Sequence, residues 1–100
     1  MTMQTRIDPI SPGVYEVIGD LTFATVNQLL KLPEPLLSDQ NSVKIILNKV
    51  HHIDSAGLAL LIEWERQNLP RRPIKFSQAN EQLVRLVNLY NLQAVLRIEN

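Results

Sequence analysis

Apolar and polar positions fall into blocks of two periods along this chain. Val14-Tyr15-Glu16-Val17-Ile18 is a short β-branched and aromatic run closed by the turn dipeptide Gly19-Asp20. It predicts a strand, able to pair with the residues before it. Leu21-Thr22-Phe23 reads as a brief second strand or the end of the first. Over Ala24–Leu32, Val26, Leu29 and Leu30 share one helical face and predict a helix, which Pro33 and Pro35 break. Leu36 and Leu37 suggest a short turn before the polar stretch Ser38–Ser42. Val43–Leu47 is nearly continuous in apolar residues, the pattern of a strand covered on both faces.

The second half is more regular. A helix is predicted over Ser55–Asn68, stopping before Pro70, with Arg71-Arg72-Pro73 as a charged connector. Ile74-Lys75-Phe76-Ser77 alternates as a strand does when one face is less well covered. Asn80 is placed to cap a helix with Leu83, Leu86, Val87 and Tyr90 at the i, i+3, i+4, i+7 spacing. Asn91 is a left-handed stop, and Leu92–Ile98 has room for one more short element. Strands alternating with helices predict an α/β fold: a small mixed or parallel sheet with helices packed on it. Ile45, Leu47, Leu61, Leu83, Leu86 and Tyr90 are the expected core. One hundred residues are expected to form one domain, 1–100.

Composition narrows the function classes. Ten basic and ten acidic side chains give zero formal net charge. A general nucleic-acid binder needs surplus positive charge. Apolar content of 45% is that of a globular chain, and absent cysteine excludes disulfide and thiol chemistry. The N-terminal residues Met1–Asp8 have no apolar signal core, and no apolar run approaches the ~20 residues of a membrane span. The expected compartment is the cytoplasm.

Candidate chemistry centres on Ile53-Asp54-Ser55-Ala56-Gly57. Asp54 and Ser55 are both good helix caps. With Asp54 as the cap, Ser55 would present its hydroxyl at the positive end of a helix, where a phosphate is tolerated. At 100° per residue, Ser55, Ala59, Ile62 and Arg66 lie on one stripe. Seven of the nine residues from Ala56 to Trp64 are apolar. A helix apolar nearly all round is buried on more than one side, and a protein partner can supply one of them. Ser55, Ala56, Gly57, Ala59, Ile62, Glu63 and Arg66 are therefore the candidate partner-binding residues. Adjacent His51 and His52 point to opposite faces of an extended chain and make a poor metal pair. Glu63 and Glu65 diverge by ~200° on a helix and cannot flank one substrate; Glu63 reads better as rim charge or a partner for Arg66. The glycines at 13, 19 and 57 form no phosphate loop. No cofactor, metal or catalytic group is predicted.

The Gly19-Asp20-Leu21-Thr22 turn, the strand at 43–47, the Ile53–Leu58 turn and the strand–helix pair over 74–92 resemble a STAS domain, the fold of bacterial anti-sigma factor antagonists. Gly57-Leu58-Ala59-Leu60-Leu61 and Leu86-Val87-Asn88-Leu89-Tyr90-Asn91-Leu92 are similar more narrowly to the STAS subunits of Mla phospholipid ABC transporters. Anti-sigma antagonists tend to carry Thr-Gly-Leu where this chain has Leu89-Tyr90-Asn91-Leu92. The narrower resemblance implies a cytoplasmic, non-catalytic subunit. It would bind the transporter ATPase peripheral to the inner membrane, without touching lipid, and support outer-membrane lipid asymmetry. It also implies Ser55 as the functional hydroxyl. The alternative it leaves open is an anti-sigma factor antagonist switched by phosphorylation of Ser55.

Overall fold

Two helices of this chain share one hydrophobic core on one side of its sheet. The computed structural model describes residues 4–30, 43–68 and 74–99. Their order is β1 (Arg6–Ser11), β2 (Val14–Ile18), a 3₁₀ turn (Val26–Leu29), β3 (Lys44–Lys49), α1 (Ser55–Asn68), β4 (Lys75–Ser77), α2 (Glu81–Leu89) and β5 (Arg97–Glu99). The strands lie in one five-stranded sheet in sequence order. β1 and β2 form an antiparallel hairpin, and β2, β3, β4 and β5 run parallel. Gly13 makes the hairpin turn at φ 75°, where a side chain would be strained. β3 leads to β4 through α1 and β4 to β5 through α2, and the right-handed preference of such crossovers places both helices on one face.

The burial alternation agrees. Tyr15 and Val17 of β2, Ile45 and Leu47 of β3, and Phe76 of β4 point inward and are buried. They meet Leu58, Leu61 and Trp64 of α1 and Leu83 and Val87 of α2 in one core with Leu21, Ile53 and Leu96. The intervening strand residues Val14, Glu16 and Ile18 are half-buried, Ile46 likewise, and Lys44 is exposed. β3 is therefore covered on one face, not on both as its apolar run suggested. The expected core residues Ile45, Leu47, Leu61 and Leu83 are buried there. Leu86 is half-buried at the core's edge.

Tyr90 does not belong to the core. α2 ends at Leu89, Tyr90 is its C-cap, and Asn91 turns left-handed at φ 56°. Leaving the helix turns the ring outward, and Tyr90 is 54% exposed.

The predicted helix over 24–32 is, in its described part, only the 3₁₀ turn. Thr25 explains the start: its Oγ1 donates to the Asp20 carbonyl at 2.7 Å and accepts from the Thr22 N–H at 3.0 Å, fixing a tight turn. At the other end, a continuing α-helix would need an N–H at position 33 for the Leu29 carbonyl. Pro33 has none. The Trp64 indole supplies the missing donor, at 2.8 Å.

Leu21 forms an isolated parallel bridge to Ile53 rather than a strand. The tail forms β5, which extends the sheet. The expectations for Pro33, Pro35, Leu36–Leu37, Pro70 and Arg71-Arg72-Pro73 lie outside the described residues.

Candidate functional site

β3 delivers the chain to a loop that the Leu21 bridge holds at the C-terminal end of the interior strands β2 and β3. The Leu21 N–H donates to His52 O at 2.9 Å, and the Asp54 N–H donates to Leu21 O at 3.2 Å. Asp54 is thereby placed to cap α1. Its Oδ1 accepts the N–H groups of Ala56 at 2.9 Å and Gly57 at 3.1 Å. Its Oδ2 accepts the Phe23 N–H at 3.1 Å. Desolvation pushes this carboxyl upward, but the backbone donors Phe23, Gly57 and Ala56 together outweigh it and hold the group below its ordinary pKa. With Asp54 doing the capping, Ser55 stands exposed at the first residue of α1 and makes no hydrogen bond through its hydroxyl among the described residues.

Gly57 occupies a different place from the one the sequence suggested. It is buried. A Cβ there would lie 2.1 Å from the Leu21 carbonyl oxygen and 2.7 Å from Ile53 Cγ1. The missing side chain lets α1 sit directly on the Leu21 backbone. Gly57 therefore sets the position of the helix and offers a partner no surface of its own.

The outward stripe is real as a surface. Ser55, Ala59 and Arg66 are exposed, and Ala56, Ile62 and Glu63 are half-buried. Ile62 leans on the core's edge. Glu63 and Arg66 form a two-pronged pair, with Nε–Oε1 at 2.7 Å and Nη2–Oε2 at 2.6 Å. These donors from Arg66, with Gln67, pull the Glu63 carboxyl down to about 2. Arg66 is thus engaged within its own helix. Sequence reasoning missed Phe23, taken as a strand residue. It is 77% exposed, and its backbone sits on Asp54. Leu30, also exposed, has its carbonyl on Gln67 Nε2 at 3.0 Å near the far end of α1. The signal that could have found Phe23 was an aromatic residue directly after a polar turn, with no alternation to bury it.

The family model described as "Mlab, STAS domain" matches residues 4–97. This chain belongs to the MlaB-type STAS domain family. No curated protein gives a significant match. Among solved structures, the anti-sigma factor antagonist SpoIIAA in its unphosphorylated form is similar at 11% identity and a TM-score of 0.65, over 96% of this chain and 87% of that one. At that identity the likeness concerns the fold, which is the α/β STAS fold.

The remaining polar candidates of this STAS domain are dispersed. His52 Nδ1 lies 3.3 Å from Asp20 Oδ1, while His51 is separately exposed. Among the described residues, no three His, Asp or Glu side chains converge as a metal site. Glu63 and Glu65 diverge as their spacing required. Glu65 is buried and accepts the Ile74 N–H on both oxygens at 3.1 Å. Burial raises its pKa. Its work is to tie α1 to the entry of β4. No described helix of this STAS domain is long and apolar enough to cross a membrane.

Proposed function

We propose that this chain, acting as one STAS domain over residues 1–100, is a non-catalytic cytoplasmic subunit of an inner-membrane phospholipid ABC transporter. It binds the transporter's ATPase and supports the lipid movement that maintains outer-membrane asymmetry. The contact surface is the start and outer stripe of α1: Ser55, Ala56, Ala59, Ile62, Glu63 and Arg66, with Phe23 beside its cap. The observation that carries this reading is the combination of short side chains with one exposed aromatic. Ser55, Ala56 and Ala59 leave the first turns of α1 open to close approach, and Phe23 offers an apolar anchor. Membership of a family named for MlaB supports the choice of partner. Ala59→Trp tests it. The isolated domain stays folded, because Ala59 is exposed, and co-purification with the ATPase is lost. Retention at full affinity would refute this surface.

One observation favours a second reading, an anti-sigma factor antagonist switched at Ser55. The Ser55 hydroxyl is exposed and left free by the Asp54 cap, so a kinase can reach it. Two substitutions separate the readings. In the transporter subunit, Ser55→Asp places a charge against a contact stripe and weakens ATPase binding, while Ser55→Ala is milder. In the sigma pathway, Ser55→Ala blocks phosphate transfer from the cognate kinase.

A further inference from the structure

The opposite side of the molecule carries charge that the α1 surface does not explain. On the outer face of the sheet, register pairs Lys44 with Lys75 and Lys75 with Arg97. Neighbouring strands lie about 4.8 Å apart, so three cations stand in one row at close spacing. Like charges directly across a ladder destabilise it. Elsewhere on the sheet such a conflict is neutralised. Asp8 and Glu16 are also register partners, yet Asp8 has Arg6 at 3.0 Å and Glu16 has Lys49 at 3.7 Å. Among the described residues, Lys44, Lys75 and Arg97 form no ion pair. Arg97 acts on the Glu65 carboxylate only through space.

We propose that this row is a docking site for the carboxylates of an acidic protein segment, separate from the α1 surface. Charge complementarity selects the occupant. The adjacent row on the same face reads Glu16, Ile46, Ser77, Glu99, and Asp8 lies beyond it. A uniformly negative surface, such as an anionic membrane or a polynucleotide, would press against those carboxylates as well as the cations. A peptide segment can place its acidic groups over the cations alone. Alternate residues of an extended segment are about 7 Å apart, so two carboxylates reach two members of the row together. Half-buried Ile46 lies one row away and offers a small apolar seat. The strand face that carries Lys44 and Lys75 lies opposite the exposed Ser55–Arg66 stripe, so the site can be filled while that stripe is also occupied.

A short poly-L-glutamate peptide is the probe, titrated into the isotope-labelled full chain and followed through backbone amide shifts. Saturable shifts should gather at Lys44, Ile46, Lys75, Ser77 and Arg97 and leave Ser55–Arg66 unmoved. The Lys44→Glu/Lys75→Glu double variant should bind the peptide at least tenfold more weakly. Lys75→Glu alone places an acid between Lys44 and Arg97. It should raise Tm while weakening peptide binding, which separates loss of the site from loss of the fold. The proposal is overturned by shifts centred on α1 or by the absence of saturable shifts. Equal binding by the double variant, a lowered Tm for Lys75→Glu, or tighter binding to phosphatidylglycerol vesicles or poly(dT) than to polyglutamate would overturn it too.

Discussion

Helices α1 and α2 pack on the same side of one sheet and are held there by different means. α2 buries Leu83 and Val87, keeps Leu86 half-buried, and is capped by Asn80, whose Oδ1 accepts the Leu83 N–H at 2.9 Å. At that same end Asn80 Nδ2 donates to the Val50 and His51 carbonyls at 3.3 Å and Gln82 Oε1 accepts the Ile53 N–H at 3.5 Å, and beyond its first turn α2 rests on the stripe. α1 buries Gly57, Leu58, Leu60, Leu61, Trp64, Glu65 and Asn68. It is pinned at three places: on the Leu21 carbonyl through Gly57, on Leu29 through Trp64, and on Ile74 through Glu65. Tied only at its first turn among the described residues, α2 can still roll slightly along the rest of its stripe, whereas α1 is fixed from Gly57 to Glu65. Backbone-to-backbone contact and directed hydrogen bonds along a helix do not permit such rolling. A surface that must present side chains to a partner gains from the second arrangement, because its geometry is set before the partner arrives.

The comparison breaks most visibly at Trp64. Trp64→Ala should cost about 3–5 kcal/mol through the cavity it leaves, with the Leu29 carbonyl losing its donor as well. Urea unfolding would measure this, and a cost below about 1 kcal/mol would mean that α1 is not anchored there.

Gly57→Ala probes the close approach. The added methyl must push α1 off Leu21, at about 1–3 kcal/mol, whereas Arg85→Ala on the exposed α2 surface, which loses only a solvent-exposed pair with Glu81, should stay within about 0.5 kcal/mol. If the two substitutions proved equal in thermal denaturation, the pinning of α1 would be disproved.

The two caps should separate by pH. The folded-state pKa of Asp54 is lowered. Its contribution is therefore fully present above the unfolded value near 3.9 and lost as pH falls through the folded value. Asp54→Asn leaves one acceptor oxygen where two served three N–H groups, and should cost about 1 kcal/mol at pH 7. That gap should close as the wild-type carboxyl is protonated. Asn80→Ala should cost about 1 kcal/mol at pH 7 and at pH 3 alike. Chemical unfolding of both variants at the two pH values checks the contrast.

The smallest effect belongs to the end of α2. Leu89 and Tyr90 are 70% and 54% exposed, so Leu89→Ser and Tyr90→Ser should each move stability by no more than about 0.5 kcal/mol. A larger loss of Tm would return Tyr90 to the core.

What could be read in the residues follows the same division. α2 was legible because Leu83 and Val87 obey a 3.6-residue period and Asn80 is a strong cap. The bounds of α1 were legible from the apolar run and from Pro70 beyond its end. Tyr90 fitted the period by spacing alone; the left-handed Asn91 ends the helix one residue too early for its ring to turn inward. Gly57 could not be placed, because nothing local distinguishes a glycine that exposes a helix from one that admits a neighbouring carbonyl. Phe23 carried a local signal of exposure, an aromatic directly after a polar turn, but none of its place beside α1. Its position depends on a bond to Asp54 from far along the chain. The Lys44–Lys75–Arg97 row depends on register between three strands, which alternation within each strand cannot reveal.

Trp64 is the chain's single tryptophan. It is fully buried beneath α1, with its indole N–H on the Leu29 carbonyl. Tryptophan emission, excited apart from Tyr15 and Tyr90, therefore comes from one known spot, directly behind the stripe proposed to meet a partner. A partner that settles on an intact α1 leaves the indole dry and the colour of its emission unchanged. A partner that pries Val26–Leu29 away lets water in and shifts the emission to the red. The molecule is its own optical gauge of which of these two things binding does.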